Sequence, residues 1–417
     1  MKLTELKETA RALFMIGVRA ADPASAVKRA LDTKPVEAIP DGRLILIAFG
    51  KASCAMIEQA LKHVPQGQAF EALAVPNYEN ARDIDQCRVM AAGHPLPDEN
   101  GLEAGKAVID LLKSTTANDQ VICLISGGGS ALLPTLRDGL TLDDKIEVNK
   151  ILLKGGLDII QMNRIRQRLS VLKGGGLLEI AKPASVRSLI ISDVVGDDLS
   201  IIASGPTVPN GEGVDPVELL KTEGLWDLVS IAAQKLLASP KQATELQGEN
   251  ELICTNTQTL NCIAQAAPDW EPVVIDTPLV GDVGDASQQI LSFVRSAPFS
   301  RKQLFIWGGE TTVKITGTGR GGRNQELAVR FAKLAHDLKG DWVFLSGGTD
   351  GRDGPTDAAG GVVTSKTCAN AQANHINVSA ALLDNDSYRI LEAAGDLLKT
   401  EATGTNVADV QLFLRVR

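Results

Sequence analysis

The chain has 417 residues, 44% of them hydrophobic but only 4% aromatic, and a formal charge of -9. That length allows two domains with aliphatic cores, and acids interspersed with bases exclude a nucleic-acid-binding surface as the main function. Six cysteines stand apart with no C-x-x-C pair, which excludes a disulfide scaffold or zinc site and fits a reduced cytosol. No apolar run approaches the roughly 18 residues of a membrane span. The N-terminal MKLTELKETARALFMIG mixes acids into an amphipathic helical pattern, unlike a signal peptide. The expectation is a soluble, cytoplasmic protein without a membrane partner.

In chain order, Leu3, Leu6, Ala10, Leu13 and Val18 fall near helical spacing, and Pro35 to Pro40 closes that section. Strands and helices then alternate through Leu44 to Phe49, Ser53 to His63, Ala72 to Val75, Arg88 to Ala91, Gly101 to Lys113 and Val121 to Ile125. The alternation predicts a mostly parallel sheet with helices on both faces. A helical region is expected over Asp143 to Leu172 and a strand over Ser188 to Ser192. Glycines and prolines among helix formers from Asn210 to Asn250 place the domain boundary near Ser239, giving domains 1–239 and 240–417. Beyond it, strands are expected at Leu252 to Thr255, Val273 to Asp276, Leu304 to Trp307 and Thr311 to Thr316. Leu327, Phe331, Leu334 and Leu338 give Gln325 to Leu338 one apolar helical face. From Asp409 to Arg417, alternation predicts a partly buried strand.

Apolar runs that end in glycine or a polar loop recur, and in open α/β sheets ligands bind beyond the carboxyl ends of strands. Val121 to Ile125 leads through Ser126 into Gly127, Gly128, Gly129 and Ser130, a pattern that fits an anion loop or a ligand-free tight turn. Lys51 follows the strand Leu44 to Phe49, where it fits an anion-binding cation or a solvated side chain. Asp193, Asp197 and Asp198 after one strand, and Asp350, Asp353 and Asp357 after another, offer oxygens to Mg2+ and equally fit turns and caps. Gly317, Gly319 and Gly322 match G-x-G-x-x-G, which alone reads as a dinucleotide turn. The next strand ends in Leu345-Ser346-Gly347-Gly348 without the acid that fingerprint requires, so Arg320 and Arg323 make this loop a phosphate or carboxylate clamp. His94, between Gly93 and Pro95, is given no catalytic role.

The runs Ile125 to Leu132, Ser192 to Asp198, Ala203 to Thr207, Gly308 to Thr312, Gly321 to Glu326 and Thr349 to Asp357 resemble the glycerate 2-kinases with a C-terminal MOFRL domain. Many of these were once labelled hydroxypyruvate reductases. Asn163 to Gly175 and Thr403 to Asn406 look like further signatures, so the resemblance covers nearly the whole chain. One departure is Arg168, where most members are expected to carry histidine. The resemblance implies an α/β protein with a larger Rossmann-like domain, a smaller mixed α/β MOFRL domain and a site in the cleft between them. It also implies ATP and Mg2+, D-glycerate as the small-molecule partner, and Lys51 and Arg323 as active-site cations; a homodimer is left open. Combined with the loops, the expected site has Lys51, Arg323 and Asp193 as catalytic residues, and Ser126, Gly127, Gly128, Gly129 and Ser130 on the nucleotide. Lys51, Arg323 and Asn324 are expected on the substrate, and Asp193, Asp197, Asp350 and Asp353 on the metal. The competing reading is a NAD(P)H-dependent hydroxypyruvate reductase.

Overall fold

A computed structural model describes residues 2–209, 213–239, 246–298, 302–401 and 403–417. It contains two compact units, one of residues 23–253 and one of residues 1–22 with 254–417. The boundary expected at 239/240 adjoins residues 240–245, which lie outside the described residues.

In the first unit, apolar runs form the central strands, buried on both faces as parallel sheets require, with shorter or more polar strands at the edges. The strands are β1 (Leu44–Phe49), β2 (Phe70–Val75), β3 (Arg88–Val89), β4 (Gln120–Ile125), β5 (Ser185–Ile191) and β6 (Glu249–Cys254). They lie in the order β3-β2-β1-β4-β5-β6. The pairs from β3 to β5 are parallel, with Ile47 opposite both Leu73 and Cys123. The chain moves outward from β1 to β2 and β3, then returns to lay β4 on the other flank of β1. The loops after β1 and β4 therefore diverge at a topological switch point, where such sheets open a ligand crevice. A separate helical core unites Leu142–Lys154, Ile159–Arg168, Pro216–Thr222 and Ile231–Ala238. Arg168 there donates to the carbonyls of Leu237 and Ser239 at the end of the last of these helices.

The second unit is a mixed sheet of β7 (Pro272–Val274), β8 (Leu279–Asp282), β9 (Lys302–Thr312), β10 (Asp341–Gly348), β11 (Gly360–Thr364), β12 (Leu397–Leu398) and β13 (Asp409–Val416). Its order is β12-β11-β10-β13-β9-β7, with β8 also on β9. One face carries the N-terminal helix Leu3–Ala20, whose Leu6, Ala10, Leu13, Phe14 and Val18 pack on Val343, Leu345, Val410 and Leu412. That docking places residues 1–22 with the C-terminal unit. The other face carries helices Val283–Ser296 and Arg323–Leu334 over an aromatic group of Phe305, Phe331, Trp342, Phe344 and Phe413.

Two strand expectations change. β13 is not half-buried: it lies centrally between β10 and β9, and all eight residues are buried because helices cover both faces. Its Arg415 donates to Gln303 Oε1 (2.6 and 2.9 Å) and its Asp409 accepts from Arg323, whereas the buried Gln411 amide has no hydrogen-bond partner among the described residues. The run at 304–307 continues through Gly308 and Gly309 and ends at Thr312, so 313–316 of the expected second strand lie outside it, and β10 likewise continues through Gly347 and Gly348. These glycines permit close approach rather than turning: a Cβ on Gly309 would lie 2.1 Å from the Leu279 carbonyl oxygen, and one on Gly347 2.6 Å from Leu398 Cδ2.

Because Phe14 is fully buried under the second sheet, Phe14→Ala is expected to cost about 3–5 kcal/mol. Tryptophan fluorescence during denaturant unfolding checks this, since Trp270, Trp307 and Trp342 all belong to that unit.

Candidate active site

At the switch point the ends of β1 and β4 are clipped together. The Ser126 N–H donates to the Phe49 carbonyl (3.1 Å) and the Lys51 N–H to the Gly127 carbonyl (2.9 Å). The buried Ser126 hydroxyl accepts from the Ala52 N–H (3.1 Å). Gly50, at φ +119°, must be glycine here, because a Cβ would sit 2.2 Å from Ser126 Oγ. Gly128, at φ +86°, takes the left-handed turn that starts the short helix Gly129–Leu132.

Three side chains converge on this loop. A Cβ on Gly127 would lie 1.9 Å from Asp193 Oδ2, and one on Gly128 would lie 3.0 Å from His94 Cδ2 and 3.3 Å from Lys51 Cγ. Bare glycine backbone thus faces a lysine, a carboxylate and an imidazole. Burial pushes the Asp193 carboxyl above its ordinary range, against the pull of the Lys51 ammonium. Burial, and then Lys51, hold His94 below its ordinary value, so the ring is neutral at pH 7. His94 was set aside in the sequence because nothing local to Gly93–Pro97 indicates that the chain returns it to Gly128.

Ser130, at the end of the loop, is fixed from behind by two distant segments. Its hydroxyl lies 3.0 Å from the Ser204 hydroxyl, which donates to Asn163 Oδ1 (2.9 Å). Ala203, Ser204 and Gly205 all have positive φ (50°, 64° and 63°). For the two non-glycine residues that conformation is strained. It is held by Gly174 N–H on the Ser204 carbonyl (3.1 Å) and Gly175 N–H on the Gly205 carbonyl (2.8 Å). Lys173, 5% exposed, donates to the Ser130 carbonyl (2.7 Å) and hydroxyl (2.9 Å).

In the second unit, Arg323 opens the helix Arg323–Leu334 and forks onto the fully buried Asp409, Nε to Oδ2 at 2.7 Å and Nη2 to Oδ1 at 2.9 Å. Glu310 stands 3.3 Å from Nη2. Burial opposes the charge, but the bonds to Asp409 outweigh it and raise the Arg323 pKa further. Asn324 is fully buried, with Oδ1 accepting from Ser346 (2.6 Å), so its amide is an interior group of this unit. Arg320 lies over the Tyr388 ring (4.5 Å). The glycines of GTGRGG press on acids of their own unit: Cβ atoms on Gly317, Gly319 and Gly322 would come within 2.3–2.5 Å of Asp384, Asp386 and Asp353. Aspartate residues of this unit, through backbone as well as side-chain atoms, already pack against these glycines, and β9 and β10 are separated by β13 rather than adjacent as in a dinucleotide-binding βαβ unit.

Of the four aspartates expected on a metal, Asp193 and Asp197 lie in the first unit and Asp350 and Asp353 in the second. Among the described residues no three His, Cys, Asp or Glu side chains cluster as for a metal ion. Asp193 stands against Gly127, while Asp197, at φ +55°, occupies a turn four residues on. Asp350 Oδ1 accepts from the Arg352 N–H (3.1 Å). Asp353 caps the Arg323–Leu334 helix through the N–H groups of Asn324 (3.1 Å) and Gln325 (2.8 Å), and burial pushes its carboxyl up to about 6.

Comparison with known proteins matches residues 9–238 to a domain of unknown function, DUF4147, and residues 303–409 to the MOFRL family. A D-glycerate 2-kinase of Thermotoga maritima is 34% identical over 99% of both chains. A protein of Agrobacterium vitis with a provisional hydroxypyruvate reductase name is 38% identical over 89% of this chain and 99% of its own. The crystal structure of a Thermotoga maritima glycerate kinase superposes with a TM-score of 0.90, covering 99% of this chain and 100% of that one. The assembled strand-end motifs and the full-length matches agree: this chain belongs to the glycerate 2-kinase family whose members pair a DUF4147 domain with a MOFRL domain.

Proposed function

We propose that this chain is a D-glycerate 2-kinase, transferring the γ-phosphoryl of ATP to the 2-hydroxyl of D-glycerate to give 2-phosphoglycerate and ADP. The observation that carries the reading is the convergence of Lys51, Asp193 and Gly127–Gly129 on the switch point of a parallel sheet. The full-length relatives of that name support it. Phosphoryl transfer asks little covalent chemistry of a protein; it needs the phosphates positioned and their charge offset. Ser126, Gly127, Gly128, Gly129 and Ser130 would hold the nucleotide's phosphates, since bare glycine backbone lets N–H groups approach anionic oxygens. Lys51 is the point charge beside that loop. Arg323 would meet the glycerate carboxylate through Nη1, because Asp409 already takes the Nε and Nη2 edge and fixes the plane of the fork. Asn324, also expected on the substrate, is fully buried with its Oδ1 held by Ser346.

Asp193 fits a Mg2+ ligand: a carboxylate pushed toward neutrality by burial gains from a cation, and Mg2+ commonly takes one or two carboxylates with phosphate oxygens and water. Bound Mg2+ neutralises phosphate oxygens during transfer. Asp197 is the second carboxylate of that loop, whereas Asp350 and Asp353 already serve a turn and a cap in the other unit. The reductase reading lacks a dinucleotide turn, since the GTGRGG glycines pack against aspartate residues.

Purified protein given D-glycerate, ATP and Mg2+ should form ADP and 2-phosphoglycerate. NADH oxidation with hydroxypyruvate, and no ADP, would reverse the assignment. Lys51→Ala and Arg323→Ala should each lower turnover by about 100-fold or more, the size of losing a charged transition-state contact. Near wild-type turnover in a folded variant removes that cation from the site.

Asp193→Asn should shift the Mg2+ titration of activity to higher concentration or abolish turnover. An unchanged titration removes Asp193 from the metal. Since Asp193 must be ionised to hold a cation and burial raises its pKa in the metal-free protein, the Mg2+ concentration for half-maximal activity should rise as pH falls, which Mg2+ titrations at a series of pH values measure.

A further inference from the structure

Behind the glycine loop lies a group of charges that the reaction above does not use. Lys173 donates to both oxygens of Ser130, and Lys145 Nζ stands 3.4 Å from the carbonyls of Ser130 and Pro134. Arg166 borders the same space, its Nε on Asn149 Oδ1 (2.9 Å). Among the described residues no carboxylate pairs with any of the three; the charged groups that act on the two lysines are the other members of the trio. Burial, reinforced by Arg166, brings Lys145 down to about 7, and burial holds Lys173 well below its ordinary value.

Three basic groups without a carboxylate are expensive to bury in charged form, and burial pushes the two lysines toward neutrality. A protein can retain them where an anion arrives later, and the nearest neighbour of this trio is the loop assigned above to phosphates. The space they enclose is about 10 Å³, room for roughly one water. No phosphate enters it, so the charges must act through Ser130.

We propose that Lys173 is a positioning residue for the phosphate loop: its Nζ, beside Lys145 and Arg166, holds the Ser130 carbonyl and hydroxyl in place, and a polyanion bound across that loop supplies the counter-charge this basic group lacks. This rests on the nucleotide reading of Gly127–Ser130. Ser204, held in its strained turn, braces the same hydroxyl from the other side.

The experiment compares wild type, Lys173→Met, Lys173→Arg and Lys145→Met for MgADP affinity by calorimetry, KM for each substrate, and unliganded melting temperature. Lys173→Met should weaken MgADP binding and raise KM for ATP by about tenfold or more, the scale of a charged hydrogen bond. KM for glycerate should stay within about twofold and the unliganded melting temperature within about 3 °C, since removing an unpaired buried charge offsets the lost bonds. Lys173→Arg should recover part of the affinity, and Lys145→Met should shift affinity in the same direction by less. Wild-type MgADP affinity in Lys173→Met overturns the inference while leaving the kinase reading intact. So does affinity that falls only in step with melting temperature, without rescue by arginine. Wild type that binds no MgADP overturns the nucleotide reading itself, and this inference with it. If Lys173→Met does not fold, Lys145→Met decides by the same criteria.

Discussion

Ser126 ties the β1 and β4 ends together. In a parallel sheet every strand delivers its C-terminal end to the same edge, and at a switch point the two following loops head in opposite directions. Something must hold them, or the edge opens into two unrelated turns. The Ser126 N–H bonds the end of β1, its hydroxyl accepts from Ala52, and the next residue's carbonyl accepts from Lys51. Lys51 is thereby fixed against Gly128, and Asp193, from β5, closes on Gly127.

The start of the Arg323–Leu334 helix and the glycine loop treat charge in opposite ways. Arg323 is answered: Asp409 takes the guanidinium fork and Glu310 stands alongside. Such pairing orients a side chain and leaves little net field. Around the glycine loop charge is left unanswered, with Lys145, Arg166 and Lys173 lacking a carboxylate and Asp193 pushed toward neutrality by burial. On the proposed kinase reading, which asks the loop to receive a polyanion and a divalent cation, unpaired charges have a reason, because a paired charge would have to be released before the ligand could bind.

Much of this was legible without coordinates. Leu44 to Phe49 and Val121 to Ile125 read as buried strands because continuous apolar runs have no solvated face, and both strands occur where expected. Glycine was the less faithful guide. Gly127–Gly129 do end a strand, but Gly308, Gly309, Gly347 and Gly348 lie inside strands, and the GTGRGG glycines accommodate Asp384, Asp386 and Asp353. In sequence these cases look alike, since glycine records only that a Cβ is not tolerated and not whether backbone, carboxylate or ligand fills the space.

Local pattern by itself therefore determined the main strands of the first sheet, its parallel α/β character and, through its long motifs, the family, because hydrophobic periodicity and motif spacing are properties of neighbouring residues. Strands β8, β11 and β12 of the second sheet were not read from it. Tertiary structure alone decided which separated residues meet. His94 returns to Gly128, Lys173 reaches Ser130 from 43 positions away, and Asp409 claims Arg323 across 86. The N-terminal helix leaves its sequence neighbours to pack on the last strand. Such meetings arise from burying whole surfaces at once, a cooperative outcome of packing that no window of sequence contains.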